Sequence, residues 1–137
     1  PVRKMDIKEM LPFDNKIVTF ECAGADLILI AGKNIGAEKG GSQGSLQIAG
    51  LGYSWKDEND QPRVIEVTVG GKLIDPSSKY TIATIDYVAS SNSDRYLGFS
   101  PQNINKTELQ FTDIIMEAVE KAKIIDSKIE KRIRKIE

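Results

Sequence analysis

A run of alternating apolar and polar residues that ends in two glycines constrains the fold of this chain more than any other feature. Residues 63–69, RVIEVTV, alternate with a period of two, which is the repeat of a β-strand with distinct faces. The alternation divides the side chains between two faces, one with Val64, Glu66 and Thr68 and the other with Ile65, Val67 and Val69. Gly70-Gly71 follows, and two glycines supply the backbone angles of a tight hairpin turn. The pattern predicts a β-hairpin that returns through residues 72–74.

Other segments of strand character surround this hairpin, and turn-forming residues separate them. In the first of these strands Val18, Phe20 and Cys22 form one apolar face. The predicted strands cover residues 16–22, 46–55 and 80–89, and the predicted loops and turns cover residues 35–45, 57–62 and 75–78. The middle of the chain is therefore a series of strands.

Helical patterns lie toward the two ends of the chain. Residues 6–10 begin with Asp6, a typical N-cap residue. Residues 108–123 are amphipathic with a repeat of three to four, and Thr107 or Asn105 is the predicted N-cap. Helices at the ends and strands between them predict an α+β fold.

Periodicity does not decide between helix and strand in two segments. Residues 25–34, ADLILIAGKN, fit a helix that ends at Gly32 or Asn34, and they equally fit a buried strand. In residues 124–137 the isoleucines recur at helical spacing, whereas residues 129–133 equally fit a short edge strand.

Length and charge restrict the class of protein. A chain of 137 residues corresponds to one domain, residues 1–137, and is long enough to bury an ordinary core. No apolar run approaches the ~20 residues of a membrane span. The 19 basic and 20 acidic side chains give a net charge of -1, which is unlike the basic surface of nucleic-acid-binding proteins. We therefore expect a globular domain with neither a nucleic-acid partner nor a membrane span.

The chain contains no histidine, and this restricts its chemistry. Ser-His-Asp and Cys-His catalysis, zincin sites and His-ligated dimetal phosphoesterase centres all require that side chain. The single cysteine excludes an intrachain disulfide and a cysteine-based zinc site. The sequence thus predicts that the chain does not itself hold the reactive centre. It begins with Pro1 rather than Met, which indicates a fragment or a processed chain.

Three stretches in order along the chain resemble the C-terminal domain of the 5'-nucleotidase family, enzymes that remove phosphate from nucleotides and related phosphoesters. The first is residues 11–15, LPFDN, followed at once by a strand. The second is residues 46–51, LQIAGL, with Tyr53. The third is residues 69–76, VGGKLIDP, followed by YTIATIDY at residues 80–87. The resemblance covers most of residues 5–99.

The resemblance implies that this chain is a substrate-recognition domain, with a mixed or antiparallel sheet layered with helices. In that family the metals and the attacking water belong to a separate metallophosphatase domain. The resemblance therefore implies no cofactor in this chain and divalent metals in a metallophosphatase domain, upstream or on a separate chain. It also implies a nucleotide or nucleoside ligand, a periplasmic or extracellular location and a domain edge that lies before Pro1.

The family's ligand site can be carried over at three positions. Two aromatic rings hold the nucleobase there, and a nearby Asn hydrogen-bonds it. By resemblance Phe13 is one ring, Asn15 is the base contact, and Tyr87 is the second ring, where the family usually has Phe. Stacking contributes roughly 1–3 kcal/mol per base.

Two departures from the family pattern concern the same site. Asp14 replaces a glycine and adds a negative charge beside the base position. The family's Gly-Gly-Asp-Gly-Tyr loop corresponds to residues 91–96, SNSDRY, which contain no glycine and one additional residue. Asp94 is the implied ribose ligand, with Asn92 or Ser93 as substitutes. Without glycine this loop must take a different shape.

Three alternatives to this interpretation remain. Phe13 and Tyr87 can be core residues at strand ends rather than ligand contacts. The chain can also be a degenerate relative that keeps the fold as a docking or assembly module and binds no nucleotide. A third alternative is a binding site for a non-nucleotide phosphoester or sugar. The first is decided by whether the two rings face an open cleft or the core.

Overall fold

A computed structural model of the protein describes residues 1–40 and 44–137. Four α-helices and seven strands lie in these ranges, and a π-helical turn, Tyr87–Ser91, follows the fifth strand. The helices are α1 (Lys4–Met10), α2 (Gly24–Lys39), α3 (Ser93–Tyr96) and α4 (Phe111–Ala122). The strands are β1 (Lys16–Ala23), β2 (Leu51–Glu58), β3 (Gln61–Val69), β4 (Lys72–Leu73), β5 (Lys79–Ile85), β6 (Asn105–Gln110) and β7 (Ile133–Lys135).

The strands form two sheets. The first has the order β5-β1-β6 and is antiparallel, and its central strand pairs with β5 from Ile17 opposite Ile85 to Ala23 opposite Lys79. The second has the order β4-β3-β2-β7 and is mixed, because β7 runs parallel to β2. The α+β prediction, with mixed and antiparallel sheets beside helices, is confirmed.

The core lies between α2 and the two sheets. The predicted apolar face of β1 is buried, and the first strand prediction is confirmed. Phe20 meets Phe99 edge to face, with 6.2 Å between the ring centroids. The buried core residues are Val18, Phe20, Cys22, Leu27, Ile30, Ala31, Ile35, Tyr53, Trp55, Val67, Val88, Ala89 and Leu97.

The segment that periodicity left open, residues 25–34, is helical. The predicted end at Gly32 or Asn34 is wrong, because α2 continues to Lys39 and takes in the first half of the predicted loop. The rest of that loop includes residues 41–43, which lie outside the described residues.

A buried amide explains why Asn34 does not end the helix. Asn34 is 2% exposed. Its Nδ2 donates to the Tyr53 hydroxyl at 2.8 Å and to the Leu46 carbonyl at 3.2 Å, and its Oδ1 accepts from the Leu46 amide. Since the side chain has tertiary partners, it does not compete for the helix backbone as a cap residue does.

A β-bulge changes the predicted faces of the central hairpin. Ser54 pairs with Glu66 and Trp55 with Val64, so Ile65 is the additional residue on β3. Ile65 is exposed, while Val64 packs against the core on the same side as Val67. The strict alternation predicted for this strand is therefore wrong at Ile65, because a bulge shifts the faces by one residue.

Both predicted turns beside β3 are present. Gly70 and Gly71 have φ angles of +57° and +80°, as a two-residue hairpin requires. On the other side of β3, Asn59 and Asp60 have φ angles of +52° and +62° and join β2 to β3. Asn and Asp tolerate this left-handed region better than other non-glycine residues.

Two strands differ most from their predicted bounds, and the first of them also continues past residue 55 to Glu58, into the predicted turn. The strand predicted at 46–55 begins only at Leu51, directly after Gly50, whose φ is +73°. The strand predicted at 80–89 ends at Ile85, because the Asp86 carboxylate accepts from the Tyr87 amide at 2.8 Å and begins the π-helical turn. An aspartate in this role acts as an N-cap.

The helix predicted at 108–123 begins later, at Phe111. The preceding residues pair with β1 as β6, so neither Thr107 nor Asn105 is the N-cap. Gln110 occupies that position instead. For residues 108–110, pairing with the central strand β1 outweighs the amphipathic helical pattern.

The structure also differs from the local predictions at the two ends of the chain. Asp6 is not the N-cap of α1 but lies in its first turn, where it accepts from the Arg3 amide at 2.7 Å. Of the two alternatives for the tail, an edge strand is present, at Ile133–Lys135. The Tyr53 amide donates to the Arg132 carbonyl at 2.8 Å beside this strand.

A glycine at the start of α2 provides a test of the packing between this helix and the turn that precedes β5. A Cβ on Gly24 would overlap the Asp75 carbonyl and lie 2.9 Å from Pro76 Cα, whereas a Cβ on Gly32 would meet nothing within 4 Å. We expect Gly24→Ala to lower the free energy of unfolding by about 2–3 kcal/mol. The control Gly32→Ala should raise it by about 0.5–1 kcal/mol, because alanine favours a helix interior. Urea unfolding measures both, and equal effects would contradict the packing described.

The buried thiol provides a second test. Burial, and to a smaller extent the Asp26 carboxylate, raises the pKa of Cys22 to about 11. Because only the thiolate attacks a disulfide reagent, the folded chain should react very slowly at pH 8. The same chain in denaturant should react completely and fast. Rapid, stoichiometric labelling of the folded protein would contradict this burial.

Candidate ligand site

The candidate site lies where β1 begins and β5 ends. Ile17 pairs with Ile85 at the end of β5, and Asn15 and Tyr87 each lie two residues beyond this pair. These positions are far apart in sequence, and the sheet brings them together. A cavity of about 440 Å³ is present at this point. Its lining residues are Asn15, Lys16, Val18, Asp86, Tyr87, Ser90, Ser91, Lys106, Thr107 and Glu108.

Tyr87 is positioned by the helical turn that follows β5. Its amide donates to Asp86 Oδ1 at 2.8 Å, and its carbonyl accepts from Asn92 Nδ2 at 3.3 Å. The side chain is 46% exposed, while the next two residues, Val88 and Ala89, are buried and anchor the turn in the core. Tyr87 therefore presents a partly exposed ring on a fixed backbone.

Asn15 is held from the opposite side of the cavity. Its carbonyl accepts from the Phe111 amide at 2.9 Å, which ties the start of β1 to the start of α4. The Thr112 hydroxyl donates to the Leu11 carbonyl at 3.4 Å in the same segment. Both backbone contacts leave the amide side chain of Asn15 available to the cavity that it lines.

An ion pair crosses one wall of the cavity. Lys16 Nζ lies 2.6 Å from Glu108 Oε2, between β1 and β6. This hydrogen bond raises the pKa of Lys16 and lowers that of Glu108 below its ordinary range, and the Asp86 carboxylate also raises the pKa of Lys16. Both side chains are thus charged at neutral pH.

Phe13, the other ring implied by the resemblance, is 72% exposed and lies in the segment between α1 and β1. It is two residues from Asn15 but is not among the residues that line the cavity. The alternative in which Phe13 and Tyr87 are core residues is wrong, because both rings are exposed and outside the core.

Two of the implied ribose ligands, Ser93 and Asp94, lie in the short helix α3, and Asn92 directly precedes that helix. Asp94 is exposed in its first turn, Ser93 is buried, and Asn92 is bound to the Tyr87 carbonyl. The three side chains do not line the cavity that contains Asn15 and Tyr87. The structure therefore brings Asn92 near Tyr87 through a backbone contact and leaves Asp94 on the adjacent surface.

The structure adds Tyr96 to the residues around the site. Its ring centroid is 6.2 Å from that of Tyr87, with an angle of 57° between the planes. The Arg95 guanidinium lies 5.3 Å from the centroid of Tyr96. Tyr96 ends the segment that the resemblance singled out, but nothing in the spacing of residues indicated contact with Tyr87. Asp86, Lys16, Lys106 and Glu108 were also missed, because the fold alone places them together.

The described ranges contain no group of three or more His, Cys, Asp or Glu side chains that could hold a metal ion. The residues present therefore do not fit a divalent metal centre, and no catalytic step can be assigned to one here. None of the helices in the same ranges combines the length and the apolar character of a bilayer span.

The sequence profile of the family described as 5'-nucleotidase, C-terminal domain, matches residues 1–100. The chain therefore belongs to the 5'-nucleotidase C-terminal domain family, and the resemblance stated from its motifs is confirmed. A comparison with curated protein sequences gave no significant match.

Solved structures share the fold at low sequence identity. A 5'-nucleotidase precursor from Thermus thermophilus superimposes with a TM-score of 0.76 at 20% identity, over 99% of this chain and 28% of its own. The NAD nucleotidase of Haemophilus influenzae superimposes with a TM-score of 0.76 at 19% identity, over 98% of this chain and 26% of its own. A sulfate thiohydrolase from Thermus thermophilus superimposes with a TM-score of 0.58 at 18% identity, over 91% of this chain and 23% of its own. The chain thus spans about a quarter of the length of these proteins.

The ion pair at the cavity wall provides a test of the site's electrostatics. In Lys16→Met the Glu108 carboxyl should lose its hydrogen bond, so its pKa should rise toward the ordinary value. Carbon-detected NMR titration of the glutamate side chains measures this. Glu117, whose pKa is lowered by its own pair with Lys121, is the internal control and should not change. An unchanged Glu108 pKa would show that Lys16 does not set it.

Proposed function

We propose that this chain is the nucleotide-recognition domain of a 5'-nucleotidase-type, metal-dependent phosphohydrolase that takes part in nucleotide breakdown. The observation that carries the proposal is the partly exposed ring of Tyr87 beside Asn15 in one cavity. An exposed aromatic ring stacks on a nucleobase with roughly 1–3 kcal/mol, and a neighbouring amide offers both a donor and an acceptor to the base edge.

In this proposal the site residues have separate roles. Tyr87 stacks on one face of the base, Asn15 hydrogen-bonds its edge, and the exposed ring of Phe13 closes over the other face. Asp94, with Asn92 beside it, binds the ribose from the surface of α3. The exposure of Phe13 supports its role, because burial of an apolar ring against a ligand is favourable and its own fold does not provide that burial.

The catalytic half belongs to a metallophosphatase domain, either upstream in the same polypeptide or on a separate chain. Divalent metals in that domain would activate water and stabilise charge on the phosphate. The contribution of this chain is to bind the base and orient the phosphoester. A phosphoester held in the correct orientation to the metals reacts faster than one that meets them by random encounter. The Thermus thermophilus relative is a 5'-nucleotidase precursor, and processing of a precursor supports a periplasmic or extracellular location.

A second candidate function is a docking or assembly module that binds no nucleotide. The contact between Tyr87 and Tyr96 favours it, because this ring already has an aromatic neighbour at 6.2 Å within the chain. The place of Asp94 outside the cavity favours it as well. The two candidates differ in whether the isolated chain binds a nucleotide at all.

An NMR titration of the full chain with adenosine, AMP and UDP-glucose tests the proposal. We expect saturable shifts of resonances near Phe13, Asn15 and Tyr87, with a dissociation constant that increases about tenfold or more in Tyr87→Ala, because the stacking energy is lost. Tyr87→Phe should bind nearly as well as the wild type, since it keeps the ring.

The matched control is Leu73→Ala, which truncates an exposed apolar side chain on β4 outside the candidate site. It should leave the affinity unchanged. No saturable shift with any ligand up to about 10 mM would overturn the nucleotide-recognition proposal and leave the docking module. Binding that survives Tyr87→Ala would overturn the assignment of the stacking ring.

A further inference from the structure

The charged groups around the ligand cavity balance one another. Two lysines, Lys16 and Lys106, and two acids, Asp86 and Glu108, line it. A subsite for a phosphate group carries an excess of cationic donors, and this cavity does not. Its lining instead contains both hydrogen-bond donors and acceptors, and the edge of an uncharged base offers both kinds of partner.

The four charged side chains are not equally available to a ligand. Lys16 and Glu108 bind each other at 2.6 Å. Asp86 accepts only the Tyr87 amide, through Oδ1, and its Oδ2 accepts no hydrogen bond within the described residues. Lys106 forms no ion pair within the same part of the chain. The carboxylate of Asp86 and the ammonium group of Lys106 therefore remain for the ligand, together with the Asn15 amide.

We infer that the cavity selects guanine among the purine bases, an inference that rests on the proposed nucleotide-recognition function. Guanine carries two adjacent donors, N1–H and the 2-amino group, which together match the two oxygens of a carboxylate such as Asp86. Its O6 is an acceptor, which matches the Lys106 ammonium group or the Asn15 amide nitrogen. Asp86 is thus the residue that sets the base preference.

The other purines match this set less well. Adenine has an acceptor at N1, which would oppose the Asp86 carboxylate, and no acceptor oxygen at position 6. Hypoxanthine keeps O6 and N1–H but lacks the 2-amino donor, so it loses one of the two bonds to Asp86. A polar site discriminates strongly against a ligand that leaves its groups unpaired. The expected order of affinity is guanine, then hypoxanthine, then adenine.

Titration of the full chain with GMP, IMP and AMP tests the inference, because the three ligands share the ribose and the phosphate. We expect GMP to bind about tenfold or more tightly than AMP, with IMP between them. In Asp86→Asn this preference should fall to within about twofold. The substitution keeps an oxygen that can accept from the Tyr87 amide, so the turn and the stacking ring stay in place.

Further variants separate this inference from the function on which it rests. Lys106→Gln should weaken the binding of GMP more than the binding of AMP. Lys72 is an exposed lysine on β4, and Lys72→Gln should change neither affinity. AMP affinity in Asp86→Asn reports whether the site is intact. Equal binding of GMP and AMP by the wild type, or an unchanged preference in Asp86→Asn, would overturn guanine selection and leave nucleotide recognition standing. No binding of any of the three would overturn both.

Discussion

The antiparallel pairing of β1 with β5 is the contact on which the other features of this domain depend. β1 is the central strand of the first sheet, and its buried face carries Val18, Phe20 and Cys22 into the core beneath α2. A shift of the register by one residue would turn that face outward, so burial fixes the register. The fixed register in turn places the start of β1 beside the end of β5. The cavity and its side chains follow from this alignment together with the pairing of β1 with β6.

Much of the fold could be predicted from local patterns, since strands, glycine turns and the amphipathic helix α4 each depend on neighbours in sequence. The differences arise where a tertiary contact outweighs the local pattern. Asn34 looks like a helix end but has buried partners in Tyr53 and Leu46. The bulge at Ile65 depends on the partner strand. For the site, motifs indicated Asn15 and Tyr87, whereas Lys106 and Glu108 lie on β6, whose pairing with β1 no sequence pattern indicated.

The proposed function separates base binding, in this domain, from the chemistry of the phosphate. A cavity with balanced charges and an aromatic side chain suits an uncharged base, and it leaves the phosphate to groups elsewhere. The absence of histidine from the sequence agrees with this division. Such a domain can change its base preference through a few side chains just after β5 and on β6 without altering the groups that act on phosphate.

The bulge in β3 has an effect beyond the hairpin that contains it. Within the described residues β4 pairs with only the end of β3, at Thr68 and Val69, so the first part of β3 is an outer strand. A regular outer strand offers unpaired amides and carbonyls to a strand of another molecule. Here Pro62 removes one amide hydrogen, and the bulge at Ile65 interrupts the spacing that a second strand would need. This edge is therefore protected against aggregation, which matters most while a newly made chain is concentrated and incompletely folded.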